Sequence, residues 1–318
     1  MKSILFSILF IFLPKVAISQ ISDNDKTIYL DSLWKETTKG NHKYYKIIKD
    51  YHSDQKEYKI YVYYKNDKLK KETTLNGKDG GSPIGGEINY YENGNKEKII
   101  NYLNGRPTGK TVSYYENGNV KEEGEYTGNY DEAGKSYKLN QYWDENKNHL
   151  IIDGNGVYSC GNNLDYTETG KYKDGFKDGI FEGKNLKKNT SFIEKYENGK
   201  FILGTKTFAD KTKSEYLEME IRPFPKKGIQ DFYNFIGKNF TYTKESMKNN
   251  IKGKIYLQFV IDKDGEIVEP TIIKGLGYGL DEEAIRVLSK YGKWNPGEQR
   301  GEKVRCSFTL PLALQAPK

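Results

Sequence analysis

Cysteine, histidine, methionine and tryptophan are all scarce in this 318-residue chain, with two, three, three and three residues respectively. The histidines, His42, His52 and His149, are scattered, and no cysteine–histidine cluster has ligand spacing, so no metal is expected. Cys160 and Cys306 lie in different segments; two separate small apolar side chains is the simpler reading, and a bridge between them the alternative. The nucleophile elbow Gly-x-Ser-x-Gly is missing. The glycine-rich run Gly275-Leu276-Gly277-Tyr278-Gly279 lacks the Lys-Ser/Thr of a phosphate loop and reads as a flexible strand-to-helix turn. Paired carboxylates such as Glu122-Glu123 and Glu282-Glu283 read as surface or helix-start charges. Asp262-Lys263-Asp264-Gly265 lacks the rest of a calcium loop and suits a hairpin turn. The chain is therefore read as non-enzymatic, with no catalytic residue, metal ligand or cofactor assigned.

Charge of one sign is not concentrated anywhere. The 51 basic and 44 acidic residues give a net charge of +7, but they are interspersed, and without a basic stripe no nucleic-acid partner is expected. Long hydrophobic runs are lacking too. Residues 4–13 are apolar except for Ser7, short of the roughly 20 residues that span a bilayer. Lys2 precedes this run and Ala17-Ile18-Ser19 follows it, the pattern of a cleavable export signal over residues 1–19. No cysteine follows the cleavage position, so neither a lipid anchor nor a stable transmembrane anchor is expected, and the mature chain is placed in the periplasm.

Tyrosine is abundant, and 22 of the 27 precede Leu217. After a polar lead-in over 20–57, with a small apolar patch at Tyr29, Leu30, Leu33 and Trp34, a repeat fills 58–208. Its aromatic pairs are Tyr63-Tyr64, Tyr90-Tyr91, Tyr114-Tyr115 and Tyr142-Trp143, spaced 27, 24 and 28 residues apart. Turns such as Glu92-Asn93-Gly94 and Glu116-Asn117-Gly118 follow the pairs, and Asn-Gly between alternating runs signals a hairpin. One hairpin cannot bury its own face, so the units are expected to stack into an all-β meander with tyrosines packed across strands. These units resemble MORN-type repeats, including the variant of bacterial antitoxin-like proteins.

Residues 209–221 are charged and read as a linker; the last region spans 222–318. Ile229, Phe232, Tyr233 and Ile236 recur at helical spacing, with an end expected at Gly237. Ile255, Leu257, Phe259 and Ile261 alternate as a strand, which returns after the Asp262–Gly265 turn and carries Pro270. A helix with Leu280, Ala284, Ile285, Leu288 and Tyr291 on one face follows, and a third strand is expected to stop at Pro311. The fold class is thus mixed: an N-terminal all-β meander, then an α+β unit of order α-β-β-α-β with a three-stranded antiparallel sheet. If the third strand returns beside the first, the sheet order is 2-1-3. Pro270 then blunts one edge and leaves the other as the better template for an added strand.

FVIDKDG, LDEEA at 280–284, KWNPG at 293–297 and the closing GEKVRCSFTLPL occur in that order. In this respect residues 222–314 resemble the C-terminal domain of the TonB energy-transducer family. Members grip a segment of outer-membrane receptors on the edge of their third strand. The resemblance implies that Lys303, Val304, Arg305, Cys306, Ser307, Phe308, Thr309 and Leu310 form the partner-binding edge. Trp294 is either a cap on the helix–sheet core, the favoured reading, or an interface anchor. The partner expected is an outer-membrane TonB-dependent receptor or another envelope protein, in the service of TonB-dependent transport. The alternative is an envelope scaffold working through the repeats, without energy transduction.

Overall fold

The computed structural model describes residues 22–128, 136–162 and 165–315, so the expected export signal lies outside the described residues. The chain divides into two compact units, Met1–Gly128 and Asn129–Lys318. The first unit holds eight strands, β1 (Lys26–Leu30) through β8 (Val120–Tyr126), and the second begins with eight more, β9 (Tyr137–Trp143) through β16 (Lys213–Tyr216), each set following sequence order as an antiparallel meander among the described residues. Two strands, β1 and β2 (Tyr44–Ile48), lie in what the sequence marks only as a polar lead-in, and β16 lies in the stretch read as a linker. β1 and β2 are joined by a long connection instead of an Asn-Gly turn, which is why pattern alone passes over them.

In the first unit the recurring Tyr-Tyr-x-Asn-Gly has a local cause. Gly94 takes φ 97°, its N–H donates to Tyr91 O at 2.9 Å, and Tyr91 N–H donates to Asn95 O at 2.9 Å. The second tyrosine of the first two pairs then reaches the next repeat: Tyr64 donates its hydroxyl to Tyr90 O at 2.9 Å, and Tyr91 donates to Tyr114 O at 2.8 Å. Asn93 Nδ2 donates to Glu116 O at 2.7 Å, so successive turns are stitched together. Each such bond contributes on the order of 1 kcal/mol net. Ile28, Leu30, Ile48, Tyr58, Ile60 and Val62 form the apolar cluster of this unit.

In the second unit the meander is held by a continuous aromatic row. Ring centroids of Tyr142, Tyr158, Tyr172, Phe181, Tyr196, Phe201 and Tyr216 succeed one another at 4.5, 5.8, 5.7, 5.4, 5.6 and 5.5 Å. The glycines make room for rings. Gly170 pairs with Phe181, Gly183 with Phe192 and Gly204 with Tyr216 across the strands. A Cβ at these positions would lie 2.4, 2.2 and 2.2 Å from the facing ring. Glycine and aromatic residues therefore alternate across neighbouring strands because a ring lies over the bare backbone.

The C-terminal part of this unit begins with two short strands, β17 (Glu220–Ile221) and β18 (Phe224–Pro225), then α1 (Ile229–Asn239) and a one-turn helix α2 (Lys244–Lys248). The main hairpin is β19 (Gly253–Ile261) and β20 (Ile267–Lys274), followed by α3 (Leu280–Lys290). Then come β21 (Trp294–Asn295), β22 (Gly297–Gln299), β23 (Glu302–Val304) and β24 (Cys306–Leu314). The main sheet has the order β20-β19-β24, the expected 2-1-3, and is antiparallel throughout. β18 pairs with β21, and β17, β22 and β23 form a separate small sheet.

Alternation explains the core. Ile255, Leu257, Phe259 and Ile261 of β19 are buried beneath Leu280, Ala284, Val287 and Leu288 of α3 and Phe232 and Ile236 of α1. Each such aliphatic or aromatic side chain contributes about 1.5–3 kcal/mol on burial. α1 runs two residues past Gly237, and α2 is set by Thr243, whose hydroxyl accepts from Ser246 N–H at 3.0 Å. In the hairpin turn, Asp262 Oδ1 accepts from the N–H groups of Asp264 and Glu266, both at 2.9 Å. Gly265 takes φ 82°, and a Cβ there would lie 2.0 Å from the Trp294 carbonyl oxygen. The turn therefore doubles as the seat for the chain leaving α3.

Candidate functional site

The two outer strands of the main sheet differ in what they offer. β20 is irregular: Glu269 has φ 55°, Pro270 follows it, and the register with β19 shifts between Tyr256 and Leu257 and between Gln258 and Val260. Such an edge makes a poor template. β24 pairs with β19 without a shift over nine positions, from Gly253↔Leu314 to Ile261↔Cys306. Its other side pairs with no strand among the described residues.

Which backbone groups face outward follows from Pro311. Proline has no N–H, so a strand accommodates it where its nitrogen points away from the neighbour. Pro311 lies opposite Tyr256 in the middle of the ladder, and the strand continues to Leu314 instead of stopping there as expected. By the alternation of an antiparallel pair, Ser307, Thr309 and Ala313 also turn their backbone groups outward, while Cys306, Phe308, Leu310 and Leu312 face β19. Side chains follow the same parity: Leu310 and Leu314 are buried, Phe308 and Leu312 pack against the core, and Ser307, Thr309, Pro311 and Ala313 are exposed.

The expected edge of Lys303, Val304, Arg305, Cys306, Ser307, Phe308, Thr309 and Leu310 is not one strand. Lys303 and Val304 belong to β23, which pairs with β22 at Lys303↔Glu298 and Val304↔Gly297. Arg305 is the corner between the two sheets, and its guanidinium meets Glu269 at 2.6 Å. Only from Cys306 onward does the chain join the main sheet. The sequence shows an unbroken alternating run from Lys303 to Leu310, and nothing in that alternation marks a change of sheet.

Two clefts flank β24. One, about 530 Å³, is lined by Ile221, Arg222, Pro223, Gln299, Arg305 and Ser307 among others. The second, about 380 Å³, lies beside the far end, lined by Tyr233, Ile236, Phe240 and Tyr242 with Pro311, Leu312 and Ala313. The α1 side of this second cleft is not marked in the sequence as a site; the amphipathic spacing of Ile229, Phe232, Tyr233 and Ile236 points only to core. Burial pushes the Cys306 thiol upward, with the charge of Glu220 adding to it, and both Cys306 and Cys160 are free. No bridge joins them.

Trp294 is a core residue. Its ring is fully buried and meets Phe232, Phe259 and Phe308 edge-on at 5.3, 5.9 and 5.3 Å. An interface anchor needs an exposed ring, so this placement goes against that role. The glycine-rich turn before α3 is likewise structural: Asp281 accepts from Leu276 N–H at 2.9 Å and Gly277 N–H at 3.0 Å. Among the described residues no helix is long and apolar enough to cross a membrane.

Residues 238–313, from the last turn of α1 into the end of β24, are similar to the family described as Gram-negative bacterial TonB protein C-terminal. No curated protein matches the chain.

Proposed function

We propose that the outer edge of β24 takes up an extended segment of an outer-membrane TonB-dependent receptor, or of another envelope protein, by strand addition. The observation that carries this reading is the unpaired side of β24, nine residues in continuous register with β19. Strand addition needs such a row, because main-chain hydrogen bonds supply the affinity and side-chain pockets the selectivity. The clefts at the two ends of the strand provide such pockets. The similarity of residues 238–313 to the TonB C-terminal family supports the partner class and a TonB-like role in energy transduction for transport.

On this reading the chain is exported by residues 1–19 and works in the periplasm. Residues 222–318 are the docking domain, and 58–208 are MORN-like units whose Tyr-Tyr-x-Asn-Gly turns support that likeness. A second reading, a scaffold acting through the repeats, is favoured by the extent of the meander strands, eight in each unit between Lys26 and Tyr216 among the described residues. Titration of the full chain with synthetic peptides from the periplasmic segments of such receptors separates the two. Amide protection arising at Ser307 and Thr309 supports edge pairing. Binding with protection confined to the meander overturns it in favour of the scaffold.

A further inference from the structure

We infer that Arg300 is a latch that fastens the β22–β23 hairpin, and with it the start of β24, to the end of the repeat meander. All of the residues involved lie in the second compact unit. The hairpin tip is tight: Arg300 has φ 49° and Gly301 φ 67°, the left-handed pair of a two-residue hairpin turn. That turn projects the Arg300 side chain onto the meander. Its Nε donates to Glu194 Oε1 at 2.7 Å, and its guanidinium carbon lies 3.9 Å from the centre of the Phe192 ring.

Glu194 is the unusual member. It belongs to a meander strand, yet its side chain is completely buried. Tyr216 donates to its Oε1 at 2.7 Å and Tyr196 to its Oε2 at 2.9 Å. Two hydroxyls solvate a carboxylate but do not neutralise it. The cation that does so comes from Arg300, 106 residues further along the chain. Removing one partner of a buried ion pair leaves a desolvated charge, which is far more costly than the pair itself is stabilising. The meander strand therefore carries a group that is stable only with the hairpin in place.

Secondary contacts align the same hairpin. Arg300 N–H donates to Met219 O at 2.9 Å, and Lys206 pairs with Glu302 at 2.5 Å. A Cβ on Gly301 would come within 2.9 Å of Ser214 Oγ. Two residues after β23 the chain enters β24, so the latch lies immediately before the edge strand. None of these contacts requires a guest. With a guest paired on β24, as proposed above, a pull on the edge passes through Arg305 and the hairpin into the meander, and the two parts move as one body.

Hydrogen exchange of the full chain, resolved by segment, tests this with Arg300→Met and Glu194→Gln, singly and together. Arg300→Met is expected to speed exchange at least tenfold in β22, β23 and residues 190–197, while β19 and α3 keep their protection. Glu194→Gln retains an acceptor for the tyrosines and removes the charge. Added to Arg300→Met, it is expected to restore part of the lost protection, because the orphaned carboxylate is gone. Unchanged protection of the hairpin in Arg300→Met overturns the latch, as does equal loss in every segment. Should Arg300→Met fail to fold, Glu194→Gln alone decides: faster exchange confined to the hairpin and residues 190–197 supports the latch, and unchanged exchange there overturns it.

Discussion

Proline scanning of β24 distinguishes the two sides of the strand by a single residue step. Ser307 and Phe308 are neighbours, but the parity set by Pro311 turns the backbone of Ser307 outward and that of Phe308 toward β19. Ser307→Pro removes an outward N–H and the exposed bond from Gln258 Nε2 to Ser307 Oγ, 3.2 Å long. That bond is worth about 0.5–1 kcal/mol, and the stiffer unfolded chain offsets a similar amount, so stability is expected to change by less than about 1 kcal/mol. Phe308→Pro breaks the ladder opposite Phe259 and strips a ring that packs 5.5 Å from Phe259 and 5.3 Å from Trp294. A lost bond of about 1 kcal/mol, an orphaned carbonyl of about 1–3 and ring burial of about 1.5–3 sum to about 3.5–7 kcal/mol. Thermal unfolding followed by the near-ultraviolet signal, to which the buried Trp294 contributes, reads the difference. Ser307→Pro is expected within about 4 °C of the parent and Phe308→Pro far below it. For a guest strand, Ser307→Pro leaves an acceptor unpaired, costing about 2 kcal/mol or more, roughly thirtyfold in affinity. Equal destabilisation by the two prolines, or a stable Ser307→Pro with unchanged guest affinity, would refute the reasoning.

Other expectations follow from single sites. Gly265→Ala meets both the left-handed backbone and the Trp294 carbonyl, and a loss of more than about 1 kcal/mol should appear in urea unfolding. Gly204→Ala places a methyl against the Tyr216 ring and should cost about 1–3 kcal/mol by overpacking, with increased exchange around Glu194. Asp25 is raised by burial, but its bond to Lys49 and the N–H groups of Ser22 and Asp50 outweigh this and hold it down at about 2, from 3.8. Its contribution is full above 3.8 and lost as pH falls to about 2, so acid unfolding of the parent should show a component that Asp25→Asn lacks. Burial, with Glu168 beside it, pushes Tyr166 up to about 12 despite Arg300. Stability is then full below about 10 and falls as pH rises toward 12, and absorbance of tyrosinate should show a late-titrating group that Tyr166→Phe removes.

Much of the C-terminal part could be read in the sequence because its signals are local. The alternation of Ile255, Leu257, Phe259 and Ile261, the helical spacing from Leu280 to Leu288, and the turn at Gly265 each follow from a short window. The departures have non-local causes. Pro311 does not end its strand because the strand is an edge and the nitrogen faces away from β19. Lys303 and Val304 leave the main sheet because they pair with Glu298 and Gly297 of β22, a local hairpin about the Arg300-Gly301 tip. β1 and β2 pair across a connection with no turn signature, and α2 is a single turn set by one capping threonine. In the meander, Asn-Gly turns and tyrosine pairs marked the hairpins, but the role of glycine as the seat for a ring on the next strand depends on register.

The claim at the centre is that the outer side of β24 receives another chain. Photo-crosslinking in intact cells, with the reactive residue placed in turn at Thr309, Phe308 and a meander position such as Lys195, addresses it directly. An adduct with an outer-membrane receptor from Thr309, with little from Phe308 or Lys195, is the predicted result. Receptor adducts from Lys195 with none from Thr309 would contradict it.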